Sequence, residues 1–113
     1  VARFSIALAA GTGAMLLSLA LSPTRATVAA PKTHTIVIDK LKFGPVPPGL
    51  HVGDTIQWLN KDLFRHTATA RDGSFNVDLP AGARGVTKLT KAGTIAFFCR
   101  YHPGMTGQLV VSK

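Results

Sequence analysis

Thr94-Ile95-Ala96-Phe97-Phe98-Cys99, followed at once by Arg100-Tyr101-His102-Pro103-Gly104-Met105, is an apolar run that ends in the chain's single cysteine and opens into a short loop. The run is short and strongly apolar and reads as a buried strand. The loop spaces Cys99, His102 and Met105 evenly, three residues apart. A thiolate, an imidazole and a thioether are the soft donors that copper prefers. A second imidazole from elsewhere would complete a trigonal His₂Cys site with a weak axial Met, a geometry suited to one-electron transfer. Pro103 and Gly104 hold such a loop tight and let its backbone pass close to a metal.

Working outward, apolar residues recur with period two, and no segment carries a helical stripe. Thr33–Asp39 alternates and is β-branched; Leu41 and Phe43 continue the alternation up to Gly44–Gly49, whose three prolines predict a turn or an edge strand. Leu50-His51-Val52 leads to a Gly53-Asp54 turn, and Thr55–Asn60 follows with Ile56 and Trp58 on one face. His66–Ala70 is another short strand, closed by Arg71-Asp72-Gly73-Ser74. Phe75, Val77 and Leu79 alternate before Pro80-Ala81-Gly82; Val86–Leu89 precedes a Lys91-Ala92-Gly93 turn, and Gln108–Val111 is last. Seven or eight short strands with turn signals this frequent predict an all-β antiparallel sandwich or barrel. Its expected core is Ile36, Ile38, Phe43, Val52, Ile56, Trp58, Val86, Leu89, Ile95, Phe97, Leu109 and Val111.

The first 29 residues lie outside that pattern. A positive start at Arg3, an apolar run from Phe4 to Leu21, and small residues after Pro23-Thr24-Arg25 give the three-part layout of a secretory signal peptide. Thr27-Val28-Ala29 or Thr24-Arg25-Ala26 would fill the recognition positions, with cleavage between 26 and 30. Gly, Ala, Ser and Thr dilute the run, which reads as an export signal rather than a stable membrane span. Residues 30–113 then form one small domain in a periplasmic or secreted setting. There a lone cysteine finds no internal partner, so it is either buried and inert or ligated. This domain carries 11 Lys/Arg against five Asp/Glu, a net charge of +6. No basic run or interleaved aromatic stripe supports nucleic-acid binding, so an acidic protein partner or an anionic envelope surface is the better expectation.

The fourth ligand must come from another strand, and His34, His51 and His66 are the candidates. His34 lies close to the expected mature N-terminus, where fraying is common. His51 adjoins a Gly-Asp turn. His66 follows the polar Asn60-Lys61-Asp62 segment, where a loop re-enters a strand at one end of a sandwich, and it is favoured.

The segment Val52-Gly53-Asp54-Thr55-Ile56-Gln57-Trp58-Leu59-Asn60-Lys61-Asp62, then His66-Thr67-Ala68-Thr69, resembles the first half of a cupredoxin, the small blue-copper fold. Asp72-Gly73-Ser74-Phe75, Ala92-Gly93-Thr94 and Phe97–Gly107 resemble the second half, and the likeness runs from about Thr33 to the C-terminus. The short Cys-to-Met loop is similar to that of amicyanin- and pseudoazurin-like members. The resemblance implies a Greek-key β-sandwich holding one type 1 copper, with His66, Cys99 and His102 as equatorial ligands and Met105 axial. It implies a monomeric electron carrier, not an enzyme, that exposes the His102 edge to redox partners within an apolar patch. Leu63, Phe64 and Pro103 are expected to form that patch, ringed by Arg65, Arg71 and Arg100; the alternative is that Leu63 and Phe64 plug the sandwich end. One departure stands out: Thr67 follows His66 where amicyanin-like members usually carry Asn. Its hydroxyl can still bridge the two ligand loops, and its N–H can still reach the sulfur.

Other functions use parts of this pattern. A copper chaperone or sequestering protein would use the same ligands in an open, Met-rich site, but Met105 is the single methionine beyond Met15. Structural zinc would suit Cys-x-x-His yet has no use for Met105 in register. A Cys–His nucleophile needs an activating geometry and an oxyanion hole that nothing marks. A multicopper oxidase would need His-x-His motifs, which are absent.

Overall fold

Alternation at period two puts every second side chain on one face of a strand. The computed structural model, which describes residues 2–23 and 29–113, builds two facing sheets from this pattern. Nine strands are present: β1 Thr33–Asp39, β2 Lys42–Phe43, β3 Leu50–His51, β4 Thr55–Asn60, β5 His66–Ala70, β6 Asn76–Leu79, β7 Arg84–Lys88, β8 Gly93–Phe98 and β9 Thr106–Ser112. One sheet runs β2-β1-β4-β7 and the other β3-β9-β8-β5-β6. No helix occurs among the described residues.

The expected all-β sandwich is therefore present, and its sheets are mixed. β1 pairs parallel with β4, and β3 parallel with β9, while the other neighbours are antiparallel. The parallel pairs arise because the chain leaves β1 through β2, crosses to the second sheet at β3 and returns before β4. Alternation along each strand specifies which face is buried but carries no information on the direction of the neighbour.

Ile36, Ile38, Leu50, Ile56, Trp58, Leu79, Phe97 and Leu109 fill the space between the sheets with no exposed surface. The Phe97 ring meets Phe43 and Trp58 edge-on, at centroid distances of 4.8 and 5.1 Å. Across the strand pair, Phe97 lies over Gly107, where a Cβ would fall 2.3 Å from the ring; only glycine leaves room there. Two expected core residues are instead outside. Val52 is 42% exposed because the strand ends at His51 and Val52 enters the turn, and Leu50 takes the buried position. Val86 is 65% exposed because its neighbours Gly85 and Thr87 face inward. The Trp58 indole N–H donates to the buried Thr87 hydroxyl at 3.0 Å, so a polar residue holds the place.

Residues 2–23 form no strand or helix, and the apolar side chains from Phe4 to Leu21 lie outside the core. No helix among the described residues is long and apolar enough to cross a membrane. Thr24–Val28, which carries most of the expected cleavage positions, lies outside the described residues.

Strand direction assembles one end of the sandwich from four connections. β1 and β4 both finish there, at Asp39 and Asn60, and β5 begins there at His66, opposite Leu79 of β6. β8 arrives at Phe98, opposite Thr106 of β9, so Cys99–Met105 closes a hairpin at the same end. Asn60 ties the end together. Its side-chain nitrogen lies 2.7, 2.9 and 3.2 Å from the carbonyls of Phe64, Leu79 and Pro80, and its oxygen accepts the Asp62 N–H.

Candidate metal centre

Cys99 extends β8 by one residue and is fully buried. Its N–H donates to the Met105 carbonyl at 3.1 Å, while the Met105 N–H donates to the His102 carbonyl at 2.8 Å. These two bonds fold the loop back on itself and bring its three donor residues to one side. Met105 is buried at the base of the loop, close to the other three. His66 opens β5, fully buried, and antiparallel pairing of β5 with β8 sets it against Cys99.

The sulfur of Cys99 lies 3.7 Å from Nδ1 of His66 and 3.9 Å from Nδ1 of His102. All three donor atoms lie within 4.8 Å of one another. A sulfur at about 2.3 Å and a nitrogen at about 2.0–2.1 Å from one ion, at a trigonal angle, are separated by about 3.8 Å. Both sulfur–nitrogen separations match that figure, so the sulfur and each imidazole nitrogen already stand at the spacing one shared ion requires. Two imidazoles, a thiolate and a nearby thioether also form the donor set that suits copper in both oxidation states. Among the described residues this is the single grouping of three such ligands.

The surroundings hold each donor in place. His66 turns Nε2 toward Asp62, 2.7 Å from Oδ2, which leaves Nδ1 free to face the sulfur. A carboxylate behind a ligating imidazole fixes its tautomer and ring orientation. The same carboxylate accepts the N–H groups of Lys40 and Leu41, at 2.7 and 2.9 Å. Those residues form the β1–β2 turn with φ of 52° and 59°, a left-handed conformation that is costly for residues other than glycine. Burial opposes ionisation of Asp62, but the Leu41 N–H, the His66 ring and the Lys40 N–H outweigh it, and the carboxyl lies below its ordinary value. Thr67 bridges the ligand loops as expected. Its N–H points at the Cys99 sulfur at 3.4 Å, and its hydroxyl accepts the Arg100 N–H at 2.9 Å.

His102 is half-buried, its ring 5.0 Å from that of His66 and 6.4 Å from that of Phe64. Leu63 is 90% exposed, Phe64 57% and Tyr101 55%, with Pro103 exposed beside them. Leu63 therefore does not plug the sandwich. Arg65 and Arg100 are exposed close by, and the β1–β2 turn adds Lys40 and Lys42 at the same end. Arg71 is not among them. It follows the far end of β5, and its guanidinium lies 4.5 Å above the Phe98 ring.

The remaining histidines are elsewhere. His34 lies within β1, its Nε2 2.9 Å from Oδ2 of Asp54; His51 is exposed on β3 and bonded through Nδ1 to the Gly49 carbonyl. Sequence reasoning missed Asn60 and Asp62. Asn60 had a signal, a polar residue in register with buried Ile56 and Trp58; Asp62 had none beyond its place four residues before His66.

Comparison with known proteins agrees with this geometry. A cupredoxin-like domain model matches residues 11–111. Amicyanin of Paracoccus denitrificans is 33% identical over 93 residues, covering 67% of this chain and 64% of that protein. Amicyanin of Paracoccus versutus is 27% identical over 81 residues, covering 66% and 61%. The chain thus spans just under two thirds of the length of these curated relatives. Among solved structures, the Cu(I) form of an amicyanin variant superposes with a TM-score of 0.61 at 29% identity, covering 75% of this chain and 86% of that one. A reduced form of a second variant gives 0.61 at 27% identity, covering 74% and 86%. With the sandwich, the converging donors and the family match all in agreement, the chain belongs to the cupredoxin family.

Proposed function

We propose that this chain is an exported type 1 copper protein that carries single electrons between redox partners. The observation that carries the reading is the convergence of one sulfur and two Nδ1 atoms at separations of 3.7 and 3.9 Å. His66, Cys99 and His102 would hold the copper through one sulfur and two nitrogens, with the Met105 thioether as a fourth, weaker donor. Copper bound there supplies the Cu(II)/Cu(I) couple. The chain's part is to keep the donors in one arrangement for both oxidation states, so that little movement accompanies transfer. Asp62 holds His66, the Cys99–Met105 backbone bonds hold the loop, and burial of Cys99 and His66 excludes water. No group acts as a catalyst. The likeness to amicyanins supports a carrier rather than an enzyme, and the single methionine of the site sets it apart from an open Met-rich chaperone.

Electrons leave through the His102 edge, within the exposed surface of Leu63, Phe64, Tyr101 and Pro103. The basic rim of Lys40, Lys42, Lys61, Arg65 and Arg100 favours a redox protein with an acidic docking surface. The carrier works as a monomer in the periplasm or outside the cell. Residues 1–29 are its export signal, cleaved between 26 and 30, a reading supported by the apolar run that contributes nothing to the core.

Adding Cu(II) to the purified metal-free protein should produce an intense blue colour that ascorbate bleaches and ferricyanide restores. A colourless complex would reject the carrier. For docking, the transfer rate to an acidic redox protein should fall steeply with ionic strength. A flat dependence would remove the basic rim from the account.

A further inference from the structure

Along β5, Ala68 and Ala70 face the core, so Thr67 and Thr69 face the other way. Their hydroxyl oxygens are 2.9 Å apart. The Thr69 hydroxyl in turn donates to Oδ1 of Asn76, its partner on β6, at 2.8 Å. A hydroxyl has one proton to give. Since Thr69 gives its proton to Asn76, its oxygen must receive the proton of Thr67. The Thr67 oxygen then accepts the Arg100 N–H at 2.9 Å. All three bonds therefore point one way, from the backbone next to Cys99 outward to Asn76 at the surface. Such a chain strengthens each of its members, because a hydroxyl that donates is a better acceptor.

Thr67 sits at the inner end and is 4% exposed. It holds Cys99 from two sides. Its hydroxyl grips the peptide that joins Cys99 to Arg100, and its own N–H lies on the Cys99 sulfur at 3.4 Å. Hydrogen bonds to a ligating sulfur draw charge from it and so tune the metal. We propose that Thr69 and Asn76 are positioning residues for the metal centre: through Thr67 they keep its N–H on the sulfur and so favour the reduced ion over the oxidised one. This rests on the copper reading above. The Thr69 hydroxyl bonds to Thr67 and Asn76 and not to a ligand side chain, and Asn76 is exposed on a neighbouring strand.

The test compares the native chain with Thr69→Val, which removes the hydroxyl at nearly constant volume, and with Thr69→Ser, which restores it. In the metal-free protein, amide hydrogen exchange at Arg100 and Thr67 should quicken about three- to tenfold in Thr69→Val and return to the native rate in Thr69→Ser. Loaded with copper, Thr69→Val should stay blue, with a displaced charge-transfer band and a ratio of Cu(I) to Cu(II) affinity lowered by about the same factor. In a Thr67→Val background the Thr69→Val change should have no further effect. Native behaviour of Thr69→Val in both exchange and spectrum would overturn the proposal, as would an undiminished effect in the Thr67→Val background. Should Thr69→Val fail to fold, Asn76→Ala must shift the same readouts in the same direction, and its silence would overturn the proposal equally. A native chain that stays colourless with Cu(II) would reject the copper reading, while amide exchange would still judge the relay.

Discussion

Two histidine–aspartate pairs sit at opposite ends of the sandwich with nearly the same local chemistry. At one end Nε2 of His66 lies 2.7 Å from Oδ2 of Asp62; at the other, Nε2 of His34 lies 2.9 Å from Oδ2 of Asp54. Both aspartates also accept backbone N–H groups: Asp62 from distant Lys40 and Leu41, Asp54 from distant Lys32 and from His51 three residues before it. The difference lies on the second ring nitrogen. Nδ1 of His66 faces a buried sulfur and a second imidazole, whereas the His34 pair ends in the tie between β1, β3 and the β3–β4 turn. A buried carboxylate–imidazole pair is thus a general fastening, and the soft donor opposite makes one of the two a metal site.

Breaking the donor side should have the largest effect. Cys99→Ala should abolish the blue charge-transfer band outright, in an absorption spectrum of the copper-loaded protein; a retained band would reduce the two pairs to equivalents. Asp62→Ala comes next, with copper affinity expected to fall about 10- to 100-fold in competition titrations. Asp54→Ala should leave copper affinity unchanged, and an equal loss from both would erase the distinction. Met105→Leu should keep copper bound and raise the reduction potential, because a departing axial thioether weakens the oxidised state more than the reduced one. Voltammetry reads this, and a lowered potential would remove Met105 from the axial position.

The smallest effect concerns the fastening at the far end. The Lys32 N–H and the His34 ring, opposed by burial and joined by the His51 N–H, hold the Asp54 carboxyl down to about 2 from an ordinary 3.8. A carboxyl with a lowered folded value contributes stability above its unfolded value and loses it as pH falls through the folded one. Thermal unfolding of metal-free protein should therefore show Asp54→Asn less stable than the native chain near neutral pH, with the gap closing toward pH about 2. A gap that stays constant would mean that the ionised carboxylate plays no part.

Much of this was legible in the chain before any coordinates, and for identifiable reasons. β1, β4 and β5 coincide with the expected segments because Ile36, Ile38, Ile56 and Trp58 alternate cleanly with polar neighbours. Cys99, His102 and Met105 were readable because one loop carries all three, and backbone bonds within that loop bring them together. Val52 and Val86 were misplaced because β-branched residues also suit the outer face of a strand or its end. Asp62 escaped notice because its role depends on a contact with the β1–β2 turn, more than 20 positions earlier in the chain. Parallel pairing was invisible for a similar reason, since it depends on the route between sheets and not on any one strand.

Asn60 has a consequence for anyone wishing to rebuild this molecule. Its amide joins the connection before His66 to the one after Leu79, while the Cys99–Met105 segment closes through bonds of its own. Transplanting a ligand hairpin of another length into the 99–105 slot would thus leave that joint standing, provided that a backbone N–H still meets the Thr67 hydroxyl. Exchanging 60–65 for a foreign stretch would pull out the pin that aligns its neighbours.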